Sequence, residues 1–218
     1  MATVAIFGGT GFAGGAIRDE ALKRGHSVIV VSRSASPADP ADSHPDLEVR
    51  RGNIHDAAVV DLLADEADVV AVALPAREID GQKLISALPS LTAAAARTGA
   101  RLGFVGGAGS LYTSENGPRL ADTPEFPGPH KNEALSHADV LAALRETSDD
   151  ADWFYLSPAA AFGPSNPGEP AGTYRVGGDI LLTDANGRSY ISGADFALAF
   201  VDEIEQARHH RERFTVAY

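Results

Sequence analysis

Short apolar runs alternate with longer stretches of helical spacing along this chain. Residues 4–7 form an apolar run that ends in glycines. Residues 12–24 carry helical spacing, with Ala16, Ile17, Ala21 and Leu22 on one side and Gly25 as the stop. Residues 27–31 are rich in valine and isoleucine and read as a buried strand. A polar, proline-containing loop over 34–45 leads to a strand-like segment at 47–51. Asp56 caps a helix through 64, and residues 67–74 are again apolar. The spacing over 79–98 predicts a helix that Pro89 kinks or splits. A fifth strand at 101–105 runs into Gly106-Gly107-Ala108-Gly109. After a loop, residues 130–147 read as a helix, Asp149, Asp150 and Asp152 as a loop, and 153–156 as a strand. Residues 157–172 are rich in proline and glycine and read as irregular. Tyr174, residues 180–183 and Tyr190 suggest small strands. A last helix follows over 195–207, with Ser192 and Asp195 as its cap, and a last strand over 214–216.

Strands that alternate with helices pair in parallel, and right-handed crossovers cover both faces. The expected fold is α/β, a doubly wound, mostly parallel, Rossmann-like sheet with helices on both faces. At 218 residues the chain is expected to be a single domain, 1–218, with 157–192 as an irregular insertion. Such a sheet binds its ligand at the carboxyl ends of the strands, at the switch point. The glycine clusters fall at strand ends.

Composition narrows the chemistry. With 30 acidic and 18 basic residues the net charge is -12, which argues against a nucleic-acid partner. The absence of cysteine excludes a disulfide scaffold, a thiolate zinc site, an iron–sulfur cluster and a cysteine nucleophile. No apolar run is long enough to span a membrane, and no basic-then-apolar leader precedes the first strand. A cytoplasmic protein acting on a small molecule is expected, as monomer or homodimer.

Residues 8–15 read Gly8-Gly9-Thr10-Gly11-Phe12-Ala13-Gly14-Gly15. Two glycine registers fit a phosphate-cradling turn: Gly9, Gly11 and Gly14, or Gly8, Gly11 and Gly14. The turn needs positive φ and close backbone approach, and the helix beginning near Phe12 aims free N–H groups at a pyrophosphate. Placed between a strand and a helix, this is a dinucleotide-binding signal. The second strand ends Val31-Ser32-Arg33-Ser34 with no acid for the ribose hydroxyls. Arg33, with a hydroxyl from Ser32 or Ser34, suits the extra phosphate of NADP(H), which is therefore favoured over NAD(H). The alternative for Arg33 is a solvated loop residue. Asn53 either holds the adenine edge or makes a surface turn with Gly52.

Beyond these features the chain resembles the short-chain dehydrogenase/reductase superfamily in its atypical or extended branch, and within it the small NAD(P)H-binding, flavin-reductase-like proteins. The resemblance rests on the loop at 8–14 and on Gly106-Gly107-Ala108-Gly109-Ser110-Leu111. It extends through Ser157-Pro158-Ala159-Ala160-Ala161-Phe162, Gly172-Thr173-Tyr174-Arg175, Ile191-Ser192-Gly193-Ala194-Asp195-Phe196-Ala197 and the ending Arg213-Phe214-Thr215-Val216-Ala217-Tyr218. It implies that Thr10, Gly11, Phe12 and Ala13 lie nearest the pyrophosphate. It implies that Leu74, Pro75 and Ala76 flank the ribose and the approach to the nicotinamide, with Gly107 to Ser110 beside the ring. Ser157, Ala159 and Phe162 would reach the carboxamide, and the irregular region would cover the substrate.

The superfamily often uses a tyrosine four residues before a lysine, and that pair is missing. The lysines are Lys23, Lys83 and Lys131, and four residues earlier stand Asp19, Ile79 and Pro127. Ordinary alcohol and ketone chemistry is thereby disfavoured. A flavin, a quinone or a conjugated carbonyl suits a protein that supplies mainly proximity and orientation. Ser110 is a candidate to bond a substrate oxygen. His130 is a candidate weak acid, on an apolar stripe with Ala134, His137, Leu141 and Leu144. The plain alternatives are a helix-capping serine and a hydrogen-bonded core histidine. His130, Glu133 and His137 share a helical spacing, but three ligands on one helix rarely close a metal shell, and no metal is assigned. His209 and His210 read as a solvated helix end. The expected activity is NAD(P)H-dependent reduction. A non-catalytic NADP(H) sensor and a cofactor-retaining isomerase or epimerase are the alternatives.

Overall fold

The structure, a computed structural model, describes residues 1–34, 44–148 and 150–218. Most of the loop expected at 34–45, and Asp149, therefore lie outside the described residues. One eight-stranded sheet is built from β1 (Thr3–Phe7), β2 (Ser27–Ser32), β3 (Leu47–Arg51), β4 (Val69–Val72), β5 (Arg101–Val105), β6 (Trp153–Ser157), β7 (Arg175–Gly177) and β8 (Glu212–Ala217). The strand order is β3-β2-β1-β4-β5-β6-β8-β7. Only the β7–β8 pairing is antiparallel. The fold is the doubly wound, Rossmann-like α/β architecture that the alternating pattern predicts.

Helices α1 (Phe12–Lys23), α2 (Ala57–Glu66), α3 (Leu88–Thr98), α4 (Gly128–Arg145) and α5 (Gly193–Gln206) cover the sheet. The side chains of β6 show why both faces are covered. Trp153 and Tyr155 pack with Leu63, Leu91 and Leu141 of α2, α3 and α4. Phe154 and Leu156 point the other way, towards Ile17 of α1 and Phe196 and Phe200 of α5. Alternate residues of a strand face opposite sides, so a strand apolar at every position needs helices on both.

The caps follow local chemistry. Asp56 accepts the Ala58 N–H at 3.0 Å and starts α2. Ser192 Oγ accepts the Asp195 N–H at 3.0 Å and starts α5. Other expectations are corrected. No single helix spans 79–98: residues 79–82 form a tight turn, Leu84–Ala87 a 3-10 turn, and α3 begins at Leu88. Pro89 sits in the first turn of α3, where a missing N–H costs nothing, so it opens the helix instead of kinking it. Around 180–183 and at Tyr190 the chain makes isolated bridges, Tyr112 with Ile180 and Ala161 with Tyr190, in place of strands. His209 is not a solvated helix end. It bonds the buried Glu203 carboxylate at 2.6 Å and stacks on Phe214, because a buried carboxylate needs partners. Among the described residues no helix is long and apolar enough to cross a membrane.

Candidate functional site

The strand order reverses between β1 and β4, whose crossovers run to opposite faces. A groove of about 540 Å³ opens at the carboxyl ends of β1, β2, β3 and β4. Gly8, Thr10 and Gly11 line it after β1, Ser32, Arg33 and Ser34 at the end of β2, Asn53 after β3, and Leu74 and Pro75 after β4. These are residues that the sequence offers for a cofactor at successive strand ends, and the fold brings them into one cleft.

The backbone chooses between the two glycine registers. Gly8 has φ +85°, and a Cβ there would stand 2.4 Å from the Ala73 carbonyl oxygen of the neighbouring crossover. A Cβ at Gly14 would stand 2.2 Å from the Gly8 carbonyl oxygen, which already accepts the Gly11 N–H at 2.9 Å. Gly8, Gly11 and Gly14 thus form the turn, while Gly9 packs against Val30. Helix α1 starts with no side-chain cap and no acid in its first turn. Its leading N–H groups and positive dipole end are left for an anion. The uncapped amides are donors that a pyrophosphate requires, and Arg33, Ser32 and Ser34 line the same groove. The residues present therefore fit a dinucleotide.

Asn53 makes the turn of its second sequence reading. Its Oδ1 accepts the His55 N–H at 3.1 Å, making a turn, while the residue lines the groove. Burial, and then the neighbouring Arg33 charge, push the His55 imidazole below its usual range.

Other expected residues are placed differently. The Phe12 ring turns from the groove and meets Phe162 edge-on at 5.3 Å, and Phe162 packs on Phe196 at 4.6 Å. Phe12 and Ala13 can face a pyrophosphate only through their N–H groups. Ala159 is buried in the core, and Ser157 is buried with its Oγ lacking a partner. Ser110 lines neither this groove nor the larger cavity below. It is buried, and its Oγ accepts from Arg213 Nη1 at 3.1 Å. Arg213 needs that acceptor because it is itself buried, ion-paired with Asp179. His130 leaves the predicted apolar stripe. Ala134, His137, Leu141 and Leu144 face inward, whereas His130 stands exposed in the first turn of α4, before the helix reaches the core.

Sequence reasoning missed a polar cluster behind the groove. Glu133 accepts the Ala76 N–H at 2.7 Å and Arg77 Nη1 at 2.7 Å, so α4 holds the loop that carries Leu74 and Pro75. His137 Nε2 lies 3.1 Å from Glu133, and the Tyr155 hydroxyl donates to the His137 carbonyl at 3.1 Å. The Gly107 N–H donates to Tyr155 Oη at 3.3 Å. Burial pushes the Tyr155 phenol well above its usual range. Burial alone would raise the Glu133 carboxyl, but bonds from His137, Arg77 and the Ala76 amide hold it down at about 2. The i, i+4 spacing of Glu133 and His137 is a usable sequence signal. Its partners on β6 and after β4 are not.

A second cavity, about 900 Å³, lies beyond β6. Its wall includes Leu120, Phe126, Pro127, Ala160, Ala161 and Tyr190. The cation in this wall, Arg188, is ion-paired with Asp184 at 2.9 Å.

A model of the NAD(P)H-binding family matches residues 8–207. The Bacillus subtilis protein YwnB, itself uncharacterized, is 39% identical over 215 residues, covering 98% of this chain and 97% of YwnB. A Streptococcus pneumoniae protein bearing the name NADH-flavin reductase is 34% identical with TM-score 0.86, over 100% of this chain and 99% of that one. A Bacteroides thetaiotaomicron protein bearing the name epimerase is 31% identical with TM-score 0.86, over 99% and 96% of the two chains. With the groove at the switch point and the glycine turn at residues 8–14, this chain belongs to the NAD(P)H-binding family.

Proposed function

We propose that the protein is a cytoplasmic NAD(P)H-dependent reductase that favours NADPH and reduces a flat, uncharged acceptor such as a flavin, a quinone or a conjugated carbonyl. One observation carries the reading. Gly8, Thr10, Gly11, Ser32, Arg33, Asn53, Leu74 and Pro75 meet in one groove, with an acid-free, uncapped helix start and no acid at the end of β2. When bound, the cofactor supplies hydride. The α1 amides would hold its pyrophosphate, and Arg33 with the Ser32 and Ser34 hydroxyls its ribose phosphate. The apolar wall of Phe126, Pro127, Ala160 and Ala161 would hold the acceptor. This reading gives proton delivery to solvent, consistent with the missing tyrosine–lysine pair and with the engaged hydroxyl of Ser110.

Steady-state NADPH oxidation with riboflavin, menadione and a conjugated enone tests the activity. Tight NADPH binding with no turnover on any of them would leave the non-catalytic sensor, which the engaged Ser110 and exposed His130 favour. Arg33→Ala tests the cofactor choice. Losing charge-assisted bonds to a phosphate should weaken NADPH by about tenfold to a hundredfold and NADH by no more than about twofold. Equal losses refute the preference.

A further inference from the structure

The adenosine end of the groove is crossed by an ion pair of the protein's own. Arg33 Nη1 donates to the Asp80 carboxylate, and both residues line the groove with Ser32, Ser34 and His55. Asp80 is delivered there by a defined turn. Ile79 N–H bonds the Gln82 carbonyl at 2.9 Å, and Gln82 N–H bonds the Ile79 carbonyl at 3.1 Å. Between them Asp80 has φ 53° and Gly81 φ 80°. Two consecutive left-handed residues inside a mutually bonded pair make a two-residue hairpin turn, for which Asp-Gly is a preferred sequence. The carboxylate is thus held at the rim by the backbone.

We propose that Asp80 occupies Arg33 in place of the cofactor's 2′-phosphate and so sets the balance between NADPH and NADH. The inference rests on the NADPH reading above. Asp80 engages the Arg33 Nη1 donor, so a 2′-phosphate that reaches the guanidinium either competes for that donor or binds beside the carboxylate. A phosphomonoester carries about -1.5 to -2 charges, so the carboxylate repels it in either case. A ribose hydroxyl has no such conflict, because it can donate to the carboxylate. Asp80 therefore moderates an NADPH preference that Arg33 alone would make stronger, and it keeps NADH usable. The pairing also leaves the rim with no net charge from these two residues in a chain of net charge -12.

Both side chains are largely exposed, at 58% and 76%, and exposed ion pairs are weak. The expected effect is correspondingly modest. Asp80→Asn removes the charge and keeps a residue that favours left-handed turns. Isothermal titration calorimetry at low ionic strength should show NADPH binding about threefold to fivefold tighter in Asp80→Asn, with NADH unchanged or slightly weaker. The gain should shrink as salt is added and vanish in the Arg33→Ala background. Asp80→Gly, which also suits the turn, should reproduce it. Unchanged or weaker NADPH binding, an equal gain for NADH, or a gain that persists without Arg33 overturns the proposal. Equal losses of both cofactors in Arg33→Ala alone would overturn the NADPH reading and take this inference with it. A selective Arg33→Ala loss with no Asp80→Asn gain would overturn this inference only.

Discussion

Replacing Glu133 with glutamine separates what its charge does from what its shape does. The carboxylate holds the Ala76 amide and Arg77 at 2.7 Å each and lies 3.1 Å from His137. Burial opposes its ionisation, yet these donors hold its pKa at about 2 against 4.5 when free. A carboxyl with a depressed folded pKa stabilises the fold above its unfolded pKa and loses that contribution as pH falls through the folded value. The shift corresponds to about 3 kcal/mol at neutral pH, of which about 2 kcal/mol is lost by pH 3. Urea unfolding of the wild type and of Glu133→Gln at pH 7, 5 and 3 measures this. The variant should be less stable by up to about 3 kcal/mol at pH 7, and the gap should narrow to about 1 kcal/mol at pH 3. Other carboxylates titrate in both proteins, so the narrowing belongs to Glu133. Because Glu133 tethers the loop carrying Leu74 and Pro75, NADPH binding at pH 7 should also weaken several-fold. A stability gap that stays constant between pH 7 and pH 3 refutes the reasoning.

Gly14→Ala puts a Cβ 2.2 Å from the Gly8 carbonyl oxygen, a backbone-on-backbone clash. It should cost several kcal/mol and at least about tenfold in NADPH affinity, and a normal melting curve with normal binding would contradict that. Ser110→Ala removes an acceptor from buried Arg213 and should destabilise by about 1.5–3 kcal/mol while leaving kcat/KM within about twofold. A large kcat/KM loss at unchanged stability would return Ser110 to the chemistry. The larger cavity carries Glu125, Asp184 and an already paired Arg188, so riboflavin should be reduced with higher kcat/KM than its monophosphate at low salt. Equal kcat/KM values, or a preference for the phosphate, would refute the assignment of that cavity to an uncharged acceptor.

Much of the groove's lining was legible because a glycine turn between a strand and a helix start is a local feature. A strand, a glycine turn and a helix start are contiguous in the chain, and Arg33 ends the next strand. The inward stripe of α4 was legible from Ala134 to Leu144, but His130 was assigned to it wrongly because periodicity does not say where the core begins. The expected helix over 79–98 failed for a related reason. The Asp80-Gly81 turn carried a boundary signal that the helical spacing masked, and Pro89, read as a kink or a split, marks the first turn of α3.

By itself the sequence determined the α/β alternation, the strand-end position of the ligand groove, the caps at Asp56 and Ser192 and the absence of a tyrosine–lysine pair. These depend on spacing within a few residues, where backbone geometry fixes which atoms meet. Tertiary structure alone decided between the glycine registers, through Ala73 lying against Gly8. It brought Asp80 to Arg33 across 47 positions and Arg213 to Ser110 across 103. The first pairing follows from the order of strands in the sheet, and the second also from the demand that a buried charge find partners; a local pattern encodes neither.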